Sequence, residues 1–303
     1  MLEELKTFTA VVETKNFTKA AKQINLSQPS VSVHIKNLEA YFNTELVSRS
    51  SKQKAIIITD SGKLLYRRSK EILSLLEITK DELHSIASSL KGHVRIGATL
   101  TIGECLLPHF LGKFCKSYPD IEVEIFIGNT TEVTTMLKEL KLDIAFVEGN
   151  NHSSHFIHQY FLDDPLVLLA PKHLGLSSPL SDLSLLQNQR WLVREHGSGL
   201  RETLDFFFSN HHIVPQSKVI FNSNLALLQA AKNNIGVAFI SKYMLAAQPT
   251  CLKNLDIIEL DESIYLSFSY ILAKELRLSK VTQLLINEFS AFIEALHTPS
   301  ITS

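Results

Sequence analysis

Between Phe17 and Phe42 the chain reads FTKAAKQINLSQPSVSVHIKNLEAYF, a stretch without a single glycine. Its helix-starting residues recur at intervals that leave room only for two short helices. Thr18 follows Asn16 and Phe17 and is placed to cap one helix, Lys19 to Ile24. Asn25 tolerates the left-handed conformation that ends it. Ser27 can cap the next helix, and Pro29 suits its first turn, where a missing N–H has no intrahelical partner. Ala20 and Ala21 are small enough to admit a close neighbour. Two helices joined by about three or four residues make a helix-turn-helix.

The flanks complete that unit. Leu2, Leu5, Phe8 and Val12 step by three and four and give a preceding helix one apolar face. Val31, Ile35, Leu38 and Phe42 form the expected buried stripe of the third helix. That stripe turns Gln28, Ser32, Val33 and Lys36 outward. The free N–H groups and positive dipole at the start of this helix suit phosphate. Gln28 can pair with adenine edges, and Ser32 with several bases. The following ELVSRSSKQKAIIITDSG reads as a basic hairpin, with Arg49, Lys52 and Lys54 flanking a strand at Ala55–Ile58. It is the wing of a winged helix, positioned for backbone phosphate.

Charge supports a polyanion partner for this head. The chain as a whole is near neutral at −1, but residues 1–70 carry twelve Lys/Arg against six Asp/Glu. The head is therefore +6 and the remainder −7. Thr59 is placed to cap a long helix, about Asp60 to Leu90. Along it Leu65, Ile72, Leu76, Leu83, Ile86 and Leu90 hold a heptad seam, interrupted by Ser69 and Thr79. Such a seam needs a partner helix, so a homodimer is expected.

From GHVRIGATL onward short strands alternate with helices. Strands are expected at Val94–Ala98, Val123–Ile127 and Ile144–Val147, with helices at Gly103–Ser117 and Thr131–Leu140. A second α/β unit has strands near Leu166–Ala170, Trp191–Val193, Lys218–Phe221 and Val237–Ile240, and helices near Leu200–Ser209 and Leu225–Lys232. SIYLSFSYILAKE is another strand, and Ser279–Leu296 a final amphipathic helix. The pattern is that of parallel sheet. In such sheets ligands sit past the carboxyl ends of the strands, where helices begin. Four such places carry hydroxyls or amides: Thr99, Thr101 and Ile102 in GATLTIGE; Asn129, Thr130 and Thr131 in GNTTE; Ser198 and Arg201 in HGSGLRE; Asn222 to Asn224, with Asn222 foremost, in NSN. Together they suit a small anion or carboxylate. Glu148, in FVEGN, adds negative charge, which a ligand with both amino and carboxylate groups would accommodate.

By these residues the chain resembles the LysR-type transcriptional regulators over essentially its whole length. LKTFTAVVETKNFTKAAKQINLSQPSVSVHIKNLEAYFNTELVSR followed by TDSG is the specific part, and GATLTIGE…LLP with GNT is similar to the sulfur-metabolism and carbon-fixation branches. The resemblance implies an α+β multidomain chain. A winged helix-turn-helix spans 1–59, a linker and dimerisation helix 60–90, and an effector-binding domain like a type 2 periplasmic binding protein 91–303. That domain has two α/β lobes, one about 91–162 and 266–303, the other about 163–265. Promoter DNA, a small-molecule effector, RNA polymerase and further copies of the chain, as dimer and then tetramer, are the implied partners. The DNA-binding set is Thr18, Lys19, Ser27, Gln28, Pro29, Ser30, Ser32, Val33, His34, Lys36, Arg49, Lys52 and Lys54. Val33 departs from the family, which very often has arginine or another polar reader there. Valine cannot pair with guanine but can touch a thymine methyl, and His34 takes part of the reading.

Other readings carry less. Cys105, Cys115 and Cys251 are too few for a disulfide framework and fit a reducing cytosol. Cys105 is by default a small buried hydrophobe rather than a redox sensor. His152, His155 and His158 are spaced for a metal, but no Cys or carboxylate joins them, and they read as a loop running into a strand. No run of eighteen apolar residues spans a membrane, and no nucleotide-binding, zinc-protease or hydrolase motif marks an enzyme or a cofactor. The alternative function is a small-molecule sensor that acts through protein contacts, which the basic head disfavours.

Overall fold

A computed structural model describes residues 1–49, 56–85, 91–149, 153–247, 254–274 and 277–297. The chain divides into two compact units, Met1–Ser88 with Glu275–Ser279, and Ser89–Lys274 with Lys280–Ser303.

The first unit opens with α1 (Leu2–Thr14), α2 (Phe17–Gln23) and α3 (Gln28–Phe42). Asn16 caps α2, its side chain accepting from Thr18 N at 2.9 Å and Lys19 N at 3.0 Å. The expected cap, Thr18, is instead the second helical residue. Asn16 holds the extended backbone a cap requires. Asn25 is left-handed, and Ser27 caps α3 by accepting from Ser30 N at 3.2 Å, both as expected. Leu5, Phe8, Val11, Ala20, Ala21, Val31, Ile35 and Leu38 make one core. The expected stripes shift at their ends. Val11 rather than Val12 is fully buried, Val12 packing at the edge of the same core, and Phe42 is 43% exposed. β1 (Val47–Arg49) and β2 (Ile56–Ile58) pair antiparallel as the base of the wing. Glu39 ties them to α3 by accepting from Leu46 N and Val47 N. Lys52, Lys54 and Ala55 lie outside the described residues.

The long helix α4 (Asp60–Ser85) starts on Thr59, whose hydroxyl accepts from Gly62 N at 2.9 Å. The expected seam is rotated. Leu65 packs against the head core beside Tyr66. The exposed apolar side is Leu64, Ile72, Leu75 and Leu83, with Leu76 half-buried. The expected continuation through Ile86 and Leu90 lies outside the described residues.

The second unit is built on a seven-stranded sheet of order β10-β6-β11-β5-β3-β4, with β9 also on β6. β3 (Gly92–Thr99), β4 (Ile121–Gly128) and β5 (Ile144–Glu148) run parallel, separated by α5 (Leu107–Ser117) and α6 (Thr130–Lys138). A π-helical turn, Ile102–Leu106, leads into α5. β6 (Phe156–Pro171) is one strand of sixteen residues, where the sequence suggested a short strand at its second half. Its first half pairs with β11 (Tyr265–Ala273) in lobe one; its second half pairs with β9 (Ala238–Ser241) and β10 (Leu255–Ile258) in lobe two. These two long antiparallel strands, β6 and β11, carry the chain between the lobes. Lobe two adds β7 (Arg190–Arg194) and β8 (Ser217–Phe221), which pair parallel, with α7 (Gly199–Asn210), α8 (Asn224–Lys232) and α9 (Lys242–Ala247). α10 (Lys280–His297) completes lobe one. The expected parallel pairing holds for β3, β4 and β5 and for β7 with β8, while every strand beyond β5 on that path is antiparallel to its neighbour.

Candidate functional site: a DNA-reading helix and an effector cleft

In the head, Thr18, Lys19, Ser27, Gln28, Pro29, Val33 and Lys36 are exposed, Val33 by 54%. Ser30 and Ser32 are half-buried. Gln28 Nε2 donates to Ser32 Oγ at 2.9 Å, one turn apart. That bond holds Gln28 along the helix and leaves its second N–H and its carbonyl for a base edge. Ser27 and Ser30 pair through their hydroxyls at 2.7 Å. His34 sits differently from the expected reader. Its Nδ1 lies 2.7 Å from the buried Thr7 Oγ1. Thr7 gives its only proton to Glu3 O at 2.7 Å, so His34 Nδ1 must be the donor. The ring therefore braces α3 against α1, and only Nε2 is left for another partner. Arg49 lies in β1 by its backbone; its side chain, like Lys52 and Lys54, falls outside what the structure describes.

In the second unit four helix starts converge. Thr99 ends β3 and Thr101 opens the run into α5; both are buried, as is Ile102. Asn129 caps α6 in a reciprocal capping box with Glu132. Thr130 is buried and donates to Glu148 O at 3.3 Å. Ser198 caps α7, is 4% exposed, and makes no capping bond with its side chain. Thr99, Thr101, Ile102, Asn129, Thr130, Glu148 and Ser198 are thus gathered at the carboxyl ends of β3, β4, β5 and β7.

Two expected members differ from these in burial or bonding. Asn222 is exposed, whereas Asn224, two residues on, is buried and donates Nδ2 to Thr101 Oγ1 at 3.2 Å. Arg201 is 5% exposed, but its guanidinium serves lobe two itself. Nε donates to Asp205 at 2.7 Å and Nη1 to Arg194 O at 2.9 Å. The arginine of the cleft is Arg194, at the end of β7 and 2% exposed. It donates to Glu195 through Nε at 2.8 Å and Nη2 at 3.0 Å, and to Asn224 Oδ1 through Nη1 at 2.5 Å. A charged residue at a strand's carboxyl end, RWLVRE, was the sequence signal for it.

The lobes touch closely across this space. Thr131 N donates to Gly197 O at 3.1 Å, and Asn129 Nδ2 to Glu195 Oε1 at 3.2 Å. Gly199 has no room for a side chain, since a Cβ would stand 2.3 Å from Glu148 O. Gly197 adopts φ +88° against Thr131.

Electrostatics centre on Glu148, which is 3% exposed and accepts from Thr101 N at 2.8 Å. Burial pushes its carboxyl upward, opposed by the hydroxyls of Thr99 and Thr101, that N–H and the charge of Arg194. Thr99 Oγ1 lies near enough to favour the carboxylate, yet meets no partner at full hydrogen-bond geometry. Asp164, on β6, is fully buried; burial pushes it to about 6, and the charge of Glu148 adds to that. Burial and the neighbouring Glu104, Glu148 and Asp164 push the Cys105 thiol to about 11. A thiol so disfavoured as thiolate is a poor redox centre. His155 lies in the turn before β6 and His158 within that strand, while His152 falls outside the described residues.

Two family models match the chain: the lysR-family bacterial regulatory helix-turn-helix protein over residues 2–63, and the LysR substrate binding domain over residues 87–293. The chain belongs to the LysR family of transcriptional regulators. It is 40% identical to the HTH-type transcriptional regulator CysL of Bacillus subtilis over 242 residues, 80% of each chain. Among solved structures it is similar to the Synechocystis PCC6803 CcmR regulatory domain in complex with 2-PG. That likeness has a TM-score of 0.62 at 25% identity and covers 67% of this chain and 98% of that one. Full-length OxyR from Pseudomonas aeruginosa shares the fold, with a TM-score of 0.73 at 17% identity over 95% of this chain and 94% of that one. LysR-type regulators are DNA-binding proteins with an effector domain, not enzymes. Among the described residues no helix is long and apolar enough to cross a membrane.

Proposed function

We propose that this LysR-type regulator works in the cytoplasm and reads promoter DNA with α3. In this reading its output is set by a small anionic or zwitterionic metabolite held between the two lobes. Gln28, Pro29, Ser32 and Val33 meet the major groove; Thr18, Lys19, Ser27, Ser30 and Lys36, with Arg49, Lys52 and Lys54 of the wing, meet phosphate. The exposed Leu64–Leu83 side of α4 joins two copies, and dimers pair into tetramers that contact RNA polymerase. The division into residues 1–59, 60–90 and 91–303 follows these roles.

The convergence of Thr101, Thr130, Ser198 and Asn224 from four helix starts carries the effector reading. Donors of this kind recognise oxyanions and carboxylates. The complex of the similar CcmR domain with 2-PG supports a small ligand on this fold. A ligand that bridges the lobes favours one arrangement of them, and so one arrangement of the assembly on DNA.

The test is Thr101→Ala in the full chain. Sulfite, sulfate, thiosulfate, nitrite, acetylserine and common carboxylates are screened for a change in operator DNA bending. The expected result is a compound that alters bending by the wild type and has no effect on Thr101→Ala, while both bind DNA alike. An unchanged response in Thr101→Ala would remove the cleft assignment.

A further inference from the structure

The anion-binding cradle of the cleft is already occupied by a part of the chain itself. Glu148 closes β5 and turns its carboxylate onto the start of the helical run into α5, where Thr101 N donates to Oε1 at 2.8 Å. The hydroxyls of Thr99 and Thr101 and the positive charge of Arg194 also favour that carboxylate. An N–H at a helix start, two hydroxyls and a guanidinium are what a small oxyanion would seek. The main chain at Glu148 is in use as well. Its carbonyl accepts from Thr130 Oγ1 and lies directly against Gly199 of the opposite lobe.

We propose that Glu148 is a built-in anion that holds this cradle in the effector-free protein, so that an anionic effector can enter only together with a proton. The inference rests on the cleft reading above and adds the class of ligand: a small anion whose binding neutralises Glu148. Two fixed negative charges in a space this dry repel one another strongly. The groups facing Glu148 make neutralisation the easier course. Arg194, from β7, is the cation, but Glu195 already holds it through two bonds. Asp164, from β6, is a second buried carboxyl whose own protonation the charge of Glu148 promotes. Cys105, from the π-helical turn, stays a neutral thiol. Burial acts on Glu148 in the same direction, raising its proton affinity. The linkage has a definite sign. A site that takes up a proton with its anion binds more tightly as pH falls, up to about tenfold for each step of one in pH.

Formate tests this without knowledge of the natural effector, because it is a monoanion that does not titrate between pH 6 and 8. Full-length wild type, Glu148→Gln and Glu148→Ala are unfolded thermally at pH 6 and pH 8 with increasing sodium formate, chloride holding ionic strength constant. Trp191, the one tryptophan, is buried in lobe two and reports the transition. Glu148→Ala should regain stability with formate at both pH values, because formate refills the vacated cradle. Wild type should gain nothing at pH 8 and a measurable amount at pH 6. Glu148→Gln, which keeps the acceptor for Thr101 N but not the charge, should respond equally at both, and it serves if the alanine variant does not fold. Equal responses in wild type and both variants, or no response in either variant, overturn the proposal. The two readings can fail separately. Rescue by formate with an intact effector response in Thr101→Ala leaves Glu148 in its cradle but moves the effector elsewhere; no rescue with a lost response keeps the cleft and discards the built-in anion.

Discussion

Asp164 gives the protein a pH dependence that can be worked from its surroundings. The residue lies where β6 passes from lobe one to lobe two and has no exposed surface. Oδ1 accepts from Tyr243 N at 3.2 Å; Oδ2 is buried without a hydrogen-bond partner. Burial dominates and raises the carboxyl to about 6, with Ser241 and the backbone of Tyr243 and Lys242 opposing and the charge of Glu148 reinforcing. In the unfolded chain an aspartate titrates near 3.9. A group whose folded value is raised contributes stability that is fully present below the unfolded value and lost as pH rises through the folded one. The window therefore runs from about pH 4 to about pH 6. A rise of that size is worth about 3 kcal/mol, all of it gone by neutral pH. Asp164→Asn has no proton to lose, and its side-chain oxygen can still accept from Tyr243 N. Urea unfolding of both proteins, followed by Trp191 fluorescence at pH 4.5 and 7.5, cancels the titrations the two share and leaves that of Asp164 with its coupling to Glu148. The stability of the variant relative to wild type should rise by about 2 kcal/mol between the two pH values. A difference that stays constant with pH would refute the argument, since it would mean that Asp164 is ionised in the folded protein throughout, as it is in the unfolded chain.

Two further substitutions probe the cleft and the reading helix. Gly199→Ala places a methyl group 2.3 Å from Glu148 O, with backbone on both sides, so the lobes must part by about 1 Å. It should lower stability by about 1–3 kcal/mol and blunt the effector response while leaving DNA binding intact; an unchanged melting midpoint and response would show that the closed contact is dispensable. Gln28→Ala should reduce discrimination between operator and random DNA by about 1–3 kcal/mol, with weak binding to random DNA unchanged. Equal losses on both DNAs, measured by anisotropy at fixed salt, would count against base reading.

The sequence made the helix-turn-helix legible because its signals are local. A serine cap, a first-turn proline and a left-handed asparagine act within four residues, and Ser27, Pro29 and Asn25 do as expected. Asn16 and Thr18 mark the limit of that logic. Both side chains can cap, and only the backbone angle at Asn16 decides between them. The seam of α4 shifts at its start for a similar reason, while Ile72 and Leu83 are exposed as expected. Leu64 and Leu65 are one residue apart, and the head core takes Leu65, which leaves Leu64 exposed. In the cleft the helix starts were predictable from the alternation of strands and helices, but the direction of a side chain was not. Asn222 and Asn224 flank one turn and differ only in which of them lies inside the helix. Arg201 was the expected cationic member, and Arg194 was missed. Asp205, one turn beyond Arg201, is the sequence clue that this guanidinium is satisfied within its own helix. Arg194 is paired with its chain neighbour Glu195, and the strand that carries it delivers it to the cleft. Glu148 joins the two levels. Its place at the end of a strand was visible in the sequence, and its negative charge looked like an obstacle to an anion site. With its carboxylate seated on Thr101 N, the obstacle becomes the occupant that an effector has to neutralise.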